Sequence, residues 1–393
     1  MSLARLPRNV WILSMCNALS MSTSPLLVFV GGFLGKELAP SPQWATVPLT
    51  GMIVGTAVST VPAAMLMRRF GRKRGSFIGF GYALTGTALA FQAALIGNFW
   101  LFLASAVLMG TNLAFTAQFR FAALESLKDP ADFPLALSVL MLGGLIAAFL
   151  GPELGLAGKD LVASPHGFAG SFLCLGGLIV VSMILFTLFS EPVVNVVESK
   201  APSRTLSQIV SNPIFAIAVG ACAISFLVMS LVMTATPLNM HEICGIDLSH
   251  TKRVLQGHIA SMFLPSLAGG YLMKRFGIGK MLLAGAVLYG GMMLFSLRGQ
   301  ELIHFWGALL ALGVGWNFLF IGGTALLPRA YRESERFMVQ AFNDLIMFGC
   351  QALGAIGAGW FLFGFGWNVL IWTCLPAIIL SALGAIWLMR KNI

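Results

Sequence analysis

Apolar runs follow one another along the whole of this 393-residue chain, and they limit its fold more than any other feature. Each is long enough to cross a hydrocarbon core of about 30 Å as a helix rising ~1.5 Å per residue. Twelve are expected, over residues 9–35, 44–67, 75–97, 99–124, 134–157, 167–189, 211–239, 254–273, 280–298, 303–328, 337–362 and 367–389. With 58% hydrophobic and 10% charged residues, the chain is not a soluble globular domain. Helices are the expected spanning form, because open strands would leave backbone groups unpaired in lipid and no barrel-like alternation is visible. The charged start MSLARLPRNVWILS runs into a full-length span without a small-residue cleavage signal, so it reads as the first helix.

Charge sets the expected orientation. With the N-terminus inside, eighteen Lys and Arg residues fall on the cytoplasmic side and five on the other, with Arg120 left inside a helix. Cytoplasmic loops retain basic residues, so both termini are expected in the cytoplasm. The net charge of +10 follows from that retention and from contact with anionic lipid; it is not read as a nucleic-acid footprint.

The hexapeptide LMRRFG, Leu66 to Gly71, returns as LMKRFG, Leu272 to Gly277. At the same offset Met141, Leu142 and Gly143 match Met347, Phe348 and Gly349, and Gly151 matches Gly357. Two anchors at one offset predict a duplicated chain. The expected organisation is an all-α membrane protein of two six-helix repeats: residues 1–192, a cytoplasmic linker 193–210, and residues 211–393. Six-plus-six duplication is an architecture of secondary transporters, with the solute site near the midplane between halves.

The basic loops resemble the signature loop of the major facilitator superfamily, Gly-x-x-x-Asp-Arg-x-Gly-Arg-Arg/Lys. Arg69, Gly71, Arg72 and Lys73 fit in the first copy, and Gly270, Arg275 and Gly277 in the second. The acidic position departs from the pattern, being Arg68 in one copy and Lys274 in the other, and the first Gly is Ala64. In that family the Asp helps latch the halves, so the resemblance implies that other partners serve here or that the latch is weaker.

No Walker loop, HExxH pair, GxSxG elbow or CxxC is present, and no enzyme activity or cofactor is expected. Cys16, Cys174, Cys222, Cys350 and Cys374 fall in expected helices, leaving Cys244 on the outer face without a disulfide partner there. Arg120 and Asp344 are ionisable groups inside expected spans, where burial is costly unless they face protein or water. Each is a candidate for coupling. The structural alternatives are snorkelling for Arg120 and an interhelix pair for Asp344.

Helices seven and eight carry MSLVMTATPLNMHEIC and HIASMFLPS. Met229 and Met233 are spaced i, i+4, as are His258 and Met262, so each pair shares one helix face. At 1.5 Å per residue the two pairs overlap in depth, roughly 6–15 Å below the outer helix ends. Thioethers and a neutral imidazole suit Cu(I) and offer little to Mg²⁺ or Ca²⁺. Pro237 and Pro265 remove backbone donors beside these pairs, so both helices are expected to flex there. Equally, methionine commonly fills gaps between helices, and a buried histidine is often only hydrogen-bonded.

MxxxM followed by HxxxM, closed by MTATPL and MFLPS, resembles the CcoA-like branch of the superfamily, bacterial copper importers serving cytochrome oxidase assembly. The resemblance implies copper as transported substrate at Met229, Met233, His258 and Met262, with a periplasmic copper donor and a cytoplasmic chaperone as candidate partners. Met240, His241 and Cys244 in the next loop are candidates for initial metal capture, and Cys222 for Cu(I) handling. The same branch resembles riboflavin importers. A small organic solute such as riboflavin, using an aromatic-rich cavity and Arg120, is therefore the alternative. A copper-binding sensor or assembly factor is another.

Overall fold

The computed structural model describes residues 6–127, 133–191, 206–332 and 335–391. Most of the expected linker, residues 193–205, lies outside the described residues. The chain divides into two compact units, Met1–Asn195 and Val196–Ile393.

In the first unit α1 (Arg8–Met21) and α2 (Thr23–Leu38) form one crossing bent at Ser22. The next crossings are α3 (Val47–Phe70) and α4 (Arg72–Ile96). Then α5 (Phe99–Ala117) continues past a break at Gln118 as α6 (Phe119–Glu125), and α7 (Phe133–Ala157) and α8 (Ala169–Phe186) follow. Asn98 starts α5 by accepting the amide of Leu101, satisfying one of the donors a helix start leaves open. Phe186 gathers Phe80, Phe119 and Phe189 at ring distances of 5.5, 5.3 and 5.0 Å, tying α4, α6 and α8 together.

The second unit opens with the short α9 (Leu206–Val210) and the long α10 (Pro213–Leu238). Asn212 caps α10, and Pro213 occupies its first turn, where a missing N–H costs nothing. Pro237 does not interrupt α10, but a π-helical turn, Asn239–Ile243, follows it directly. Next come α11 (Leu248–Phe263), α12 (Ser266–Phe276), α13 (Ile278–Arg298) and α14 (Leu302–Leu326). The unit ends with α15 (Arg336–Phe365), α16 (Trp367–Trp372) and α17 (Leu375–Arg390).

Ten helical runs among the described residues are long and apolar enough to cross a membrane. Two of the twelve expected crossings, α7 and the eighth, are not among these ten runs. The described apolar part of α7 is the shorter stretch Leu142–Ala157. The eighth crossing is divided at Pro265 into α11 and α12, and the start of α11 carries His250, Lys252 and Arg253. The break falls where proline removes the backbone donor.

The repeated hexapeptide has matching geometry in both units. Gly71 joins α3 to α4 at φ 87°, ψ 161°, and Gly277 joins α12 to α13 at φ 84°, ψ 159°. Glycine enters this region without the steric penalty of a side chain, which explains why Phe-Gly recurs along with the charges. Arg69 lies over Phe70 and Arg275 over Phe276, each at 5.4 Å from the ring centre.

Candidate functional site

In the second unit α14 is the common neighbour of α10 and α11, which touch each other far less than either touches α14. Small residues permit the close approach. A side chain at Gly313 would strike Ser261 and the backbone of His258, and one at Gly323 would strike Ala218 and Cys222.

These contacts fix the register. Leu309 stands opposite His258, Gly313 opposite Ser261 and Met262, and Trp316 opposite both Phe226 and Phe263. Because α10 runs antiparallel to α14, Met229 and Met233 come level with Gly313 and Leu309 respectively. Met229 thereby shares the height of Met262, and Met233 that of His258. All four residues are buried.

The imidazole of His258 is held from one side. Its Nδ1 lies 2.8 Å from the carbonyl oxygen of Leu309, which can only accept, so Nδ1 carries a proton. In the neutral ring this leaves Nε2 with a bare lone pair, and Nε2 is buried without a hydrogen-bond partner. Carbonyl-anchored imidazoles of this tautomer are well oriented to ligate a metal. Among the described residues no group of three or more His, Cys, Asp and Glu is placed to hold a metal ion, so thioethers would have to supply the remaining ligands.

Alongside lies an aromatic cluster that the helical pattern did not single out. Phe226 contacts Trp316, Phe320 and Phe348 at 5.3, 5.4 and 6.3 Å between ring centres; Trp316 stacks on Phe320 at 5.0 Å and meets Phe263 at 6.3 Å. Four helices, α10, α11, α14 and α15, contribute. The indole Nε1 of Trp316 is buried and has no acceptor. Next to it in sequence, Asn317 donates to the Met262 carbonyl and to Ser266, each at 2.6 Å, and its Oδ1 has no donor. The available signal was Trp-Asn in the middle of an apolar span, since both bring polar atoms that need partners.

The remaining candidates are dispersed. Asp344 on α15 accepts from Asn343 at 3.3 Å. Arg120 sits just beyond the Gln118 break, exposed, with its guanidinium 4.8 Å from the Phe121 ring centre. Met240 is fully buried. His241 Nδ1 bonds the Ile246 carbonyl at 2.9 Å, and Cys244 Sγ donates to Gln300 at 3.2 Å. Burial raises the Cys244 thiol above its ordinary pKa, reducing the thiolate that would capture a metal. These three residues are therefore not presented together as an open ligand set.

The first signature loop is bound by two glutamates distant in sequence. Arg72 forms a two-pronged ion pair with Glu125, and Glu191 accepts the backbone amides of Arg72 and Lys73 at the start of α4. Lys73 in turn donates to the carbonyls of Thr187 and Phe189 at the end of α8, at 2.6 and 2.7 Å. Glu125 and Glu191 supply the acid that the loop itself lacks.

Several known proteins share this organisation. Riboflavin transporter RfnT of Brucella anthropi is 35% identical over 384 residues, covering 95% of this chain and 94% of its own. YddS of Bacillus subtilis, an uncharacterized MFS-type transporter, is 29% identical over 84% of this chain and 79% of its own. The structure of nucleoside transporter NupG superposes with a TM-score of 0.73 at 13% identity, covering 98% of this chain and 99% of NupG. FucP, solved in the outward conformation, superposes with a TM-score of 0.58 at 18% identity over 95% of this chain and 97% of FucP. The sequence profile of the Major Facilitator Superfamily matches residues 10–268. With its duplicated helical plan, its paired basic loops and this full-length likeness, the chain belongs to the major facilitator superfamily of multi-pass membrane transporters.

Proposed function

We propose that this secondary transporter carries a small planar heteroaromatic solute of the flavin type. The observation that carries the reading is the Trp316 indole: a buried donor without an acceptor, set against the rings of Phe226, Phe263 and Phe320. A buried unsatisfied donor costs about 1–3 kcal/mol, and a flavin ring offers both acceptors and a face for stacking. Aromatic pairs contribute about 0.5–1.5 kcal/mol each beyond the area they bury. The likeness to a riboflavin transporter over nearly the whole chain supports the same reading.

Copper is the second reading, and one specific observation favours it. His258 Nε2 is unpartnered at the height of Met233, with Met229 and Met262 one turn further along. Such a neutral, soft donor set retains the charge of Cu(I) and does not require a thiolate. On this reading the residues bind copper as cargo, not as a resident cofactor.

Proteoliposomes containing the purified protein separate the readings. Riboflavin should accumulate or exchange, and Trp316→Phe should weaken its transport by about threefold to tenfold, equivalent to one lost hydrogen bond. Accumulation of copper without movement of riboflavin would make copper the transported solute. Binding of either without movement would instead support a sensor or assembly role.

A further inference from the structure

We propose that the second unit holds one phospholipid, its acyl chain lying along α13 and its phosphate on Arg298. An open groove of about 510 Å³ lies between α13 and the region where α16 gives way to α17. Val287, Gly290, Gly291, Leu294, Leu297 and Trp372 line it, and no polar side chain does. Val287, Leu294 and Trp372 are 66%, 64% and 55% exposed, so the groove opens on the surface of the protein.

The two glycines form its floor. A side chain placed at either would meet nothing within 4 Å, whereas one at Gly285 on the same helix would strike Leu319 and the Gly315 carbonyl. Glycine inside a helix is less favourable than alanine. At Gly285 the close approach of α14 accounts for it, but among the described residues no atom uses the space above Gly290 and Gly291.

Charge identifies the occupant. Arg298, exposed at the end of α13, lies seven residues beyond Gly291, about 10 Å along the helix axis. An apolar slot beneath a guanidinium matches a hydrocarbon chain ending in a phosphate, which arginine binds with charge-assisted hydrogen bonds. A second copy of the chain fits less well. In one membrane a two-fold contact along α13 would bring two Arg298 side chains to the same height, where they repel.

Native mass spectrometry tests the assignment on full-length protein taken from vesicles of phosphatidylglycerol and phosphatidylethanolamine. The parental protein should retain one phosphatidylglycerol after detergent washing. Gly291→Leu, which fills the groove, should lower retention on the order of tenfold. Arg298→Gln should leave the groove intact and remove the preference for the anionic lipid. Equal retention in the parental protein and both variants would overturn the proposal, as would absence of bound lipid from all three. A dimer abolished by Gly291→Leu would assign the groove to a second copy. If Gly291→Leu fails to fold, the lipid preference of Arg298→Gln decides alone.

Discussion

At the scale of single residues, two unpartnered atoms define the site: His258 Nε2 and Trp316 Nε1. They make opposite demands. The bare imidazole nitrogen needs a metal or a donor, whereas the indole N–H needs an acceptor. His258 and the methionines were legible because i, i+4 spacing places pairs on one face of a helix. Trp316 was not, because Phe226 and Phe263, which its ring meets, come from two other helices, and no local spacing connects them. Cu(I) binding by purified protein, measured in competition with a coloured Cu(I) chelator, should fall at least about tenfold in His258→Leu. Binding should also weaken as pH falls, because a proton competes for the same nitrogen lone pair. Met233→Leu preserves volume, so it should change stability by less than about 1.5 kcal/mol while lowering Cu(I) affinity. Unchanged affinity in both variants would leave His258 and Met233 with packing roles alone.

At the scale of elements, helix ends carry the information that the apolar runs lack. The charges of the first signature loop were plain in the sequence, and the missing Asp directed attention to other acids. Glu125 and Glu191 could not be identified as those acids, since they stand 53 and 119 residues from Arg72, and only the packing of α4 against α5 and against α8 brings them near. Their roles differ. Glu125 meets Arg72 through two parallel hydrogen bonds with both side chains 20% exposed, whereas Glu191 accepts amides at a more exposed helix start. Glu125→Gln should therefore cost about 1.5–3 kcal/mol, and Glu191→Gln only about 0.3–1 kcal/mol. Arg72→Lys should not substitute, because an ammonium cannot reproduce the planar fork. Thermal unfolding in detergent, followed through the tryptophans, would rank the three variants. A larger loss from Glu191→Gln than from Glu125→Gln would reverse the assignment.

At the scale of the whole molecule, the duplication was legible because both copies need glycine at one backbone conformation, and Gly71 and Gly277 show it. Where each half interrupts its helices was legible only at Pro265; the other expected proline, Pro237, stays inside α10, and nothing in the sequence marked Ser22. The first unit bends its opening crossing at Ser22 and keeps α3 whole despite Pro62; the second keeps α10 whole and divides its next crossing at Pro265. Broken at Pro265 and charged at its start, the α11–α12 pair is not among the runs long and apolar enough to cross, although connectivity requires it. Labelling decides the matter in a cysteine-free background, which must first lose six native thiols. If every expected segment crosses, single cysteines at Lys159, Asp247 and Gly299 should react from one side of the membrane, and those at Gly71, Gly277 and Arg329 from the other. On the charge asymmetry the second group is expected to react from the cytoplasmic side. Asp247 and Gly277 are the sensitive pair, because only α11 and α12 lie between them. Reaction of both from the same side would mean that the broken helix turns back within the membrane, and the twelve-crossing topology would fail at that point.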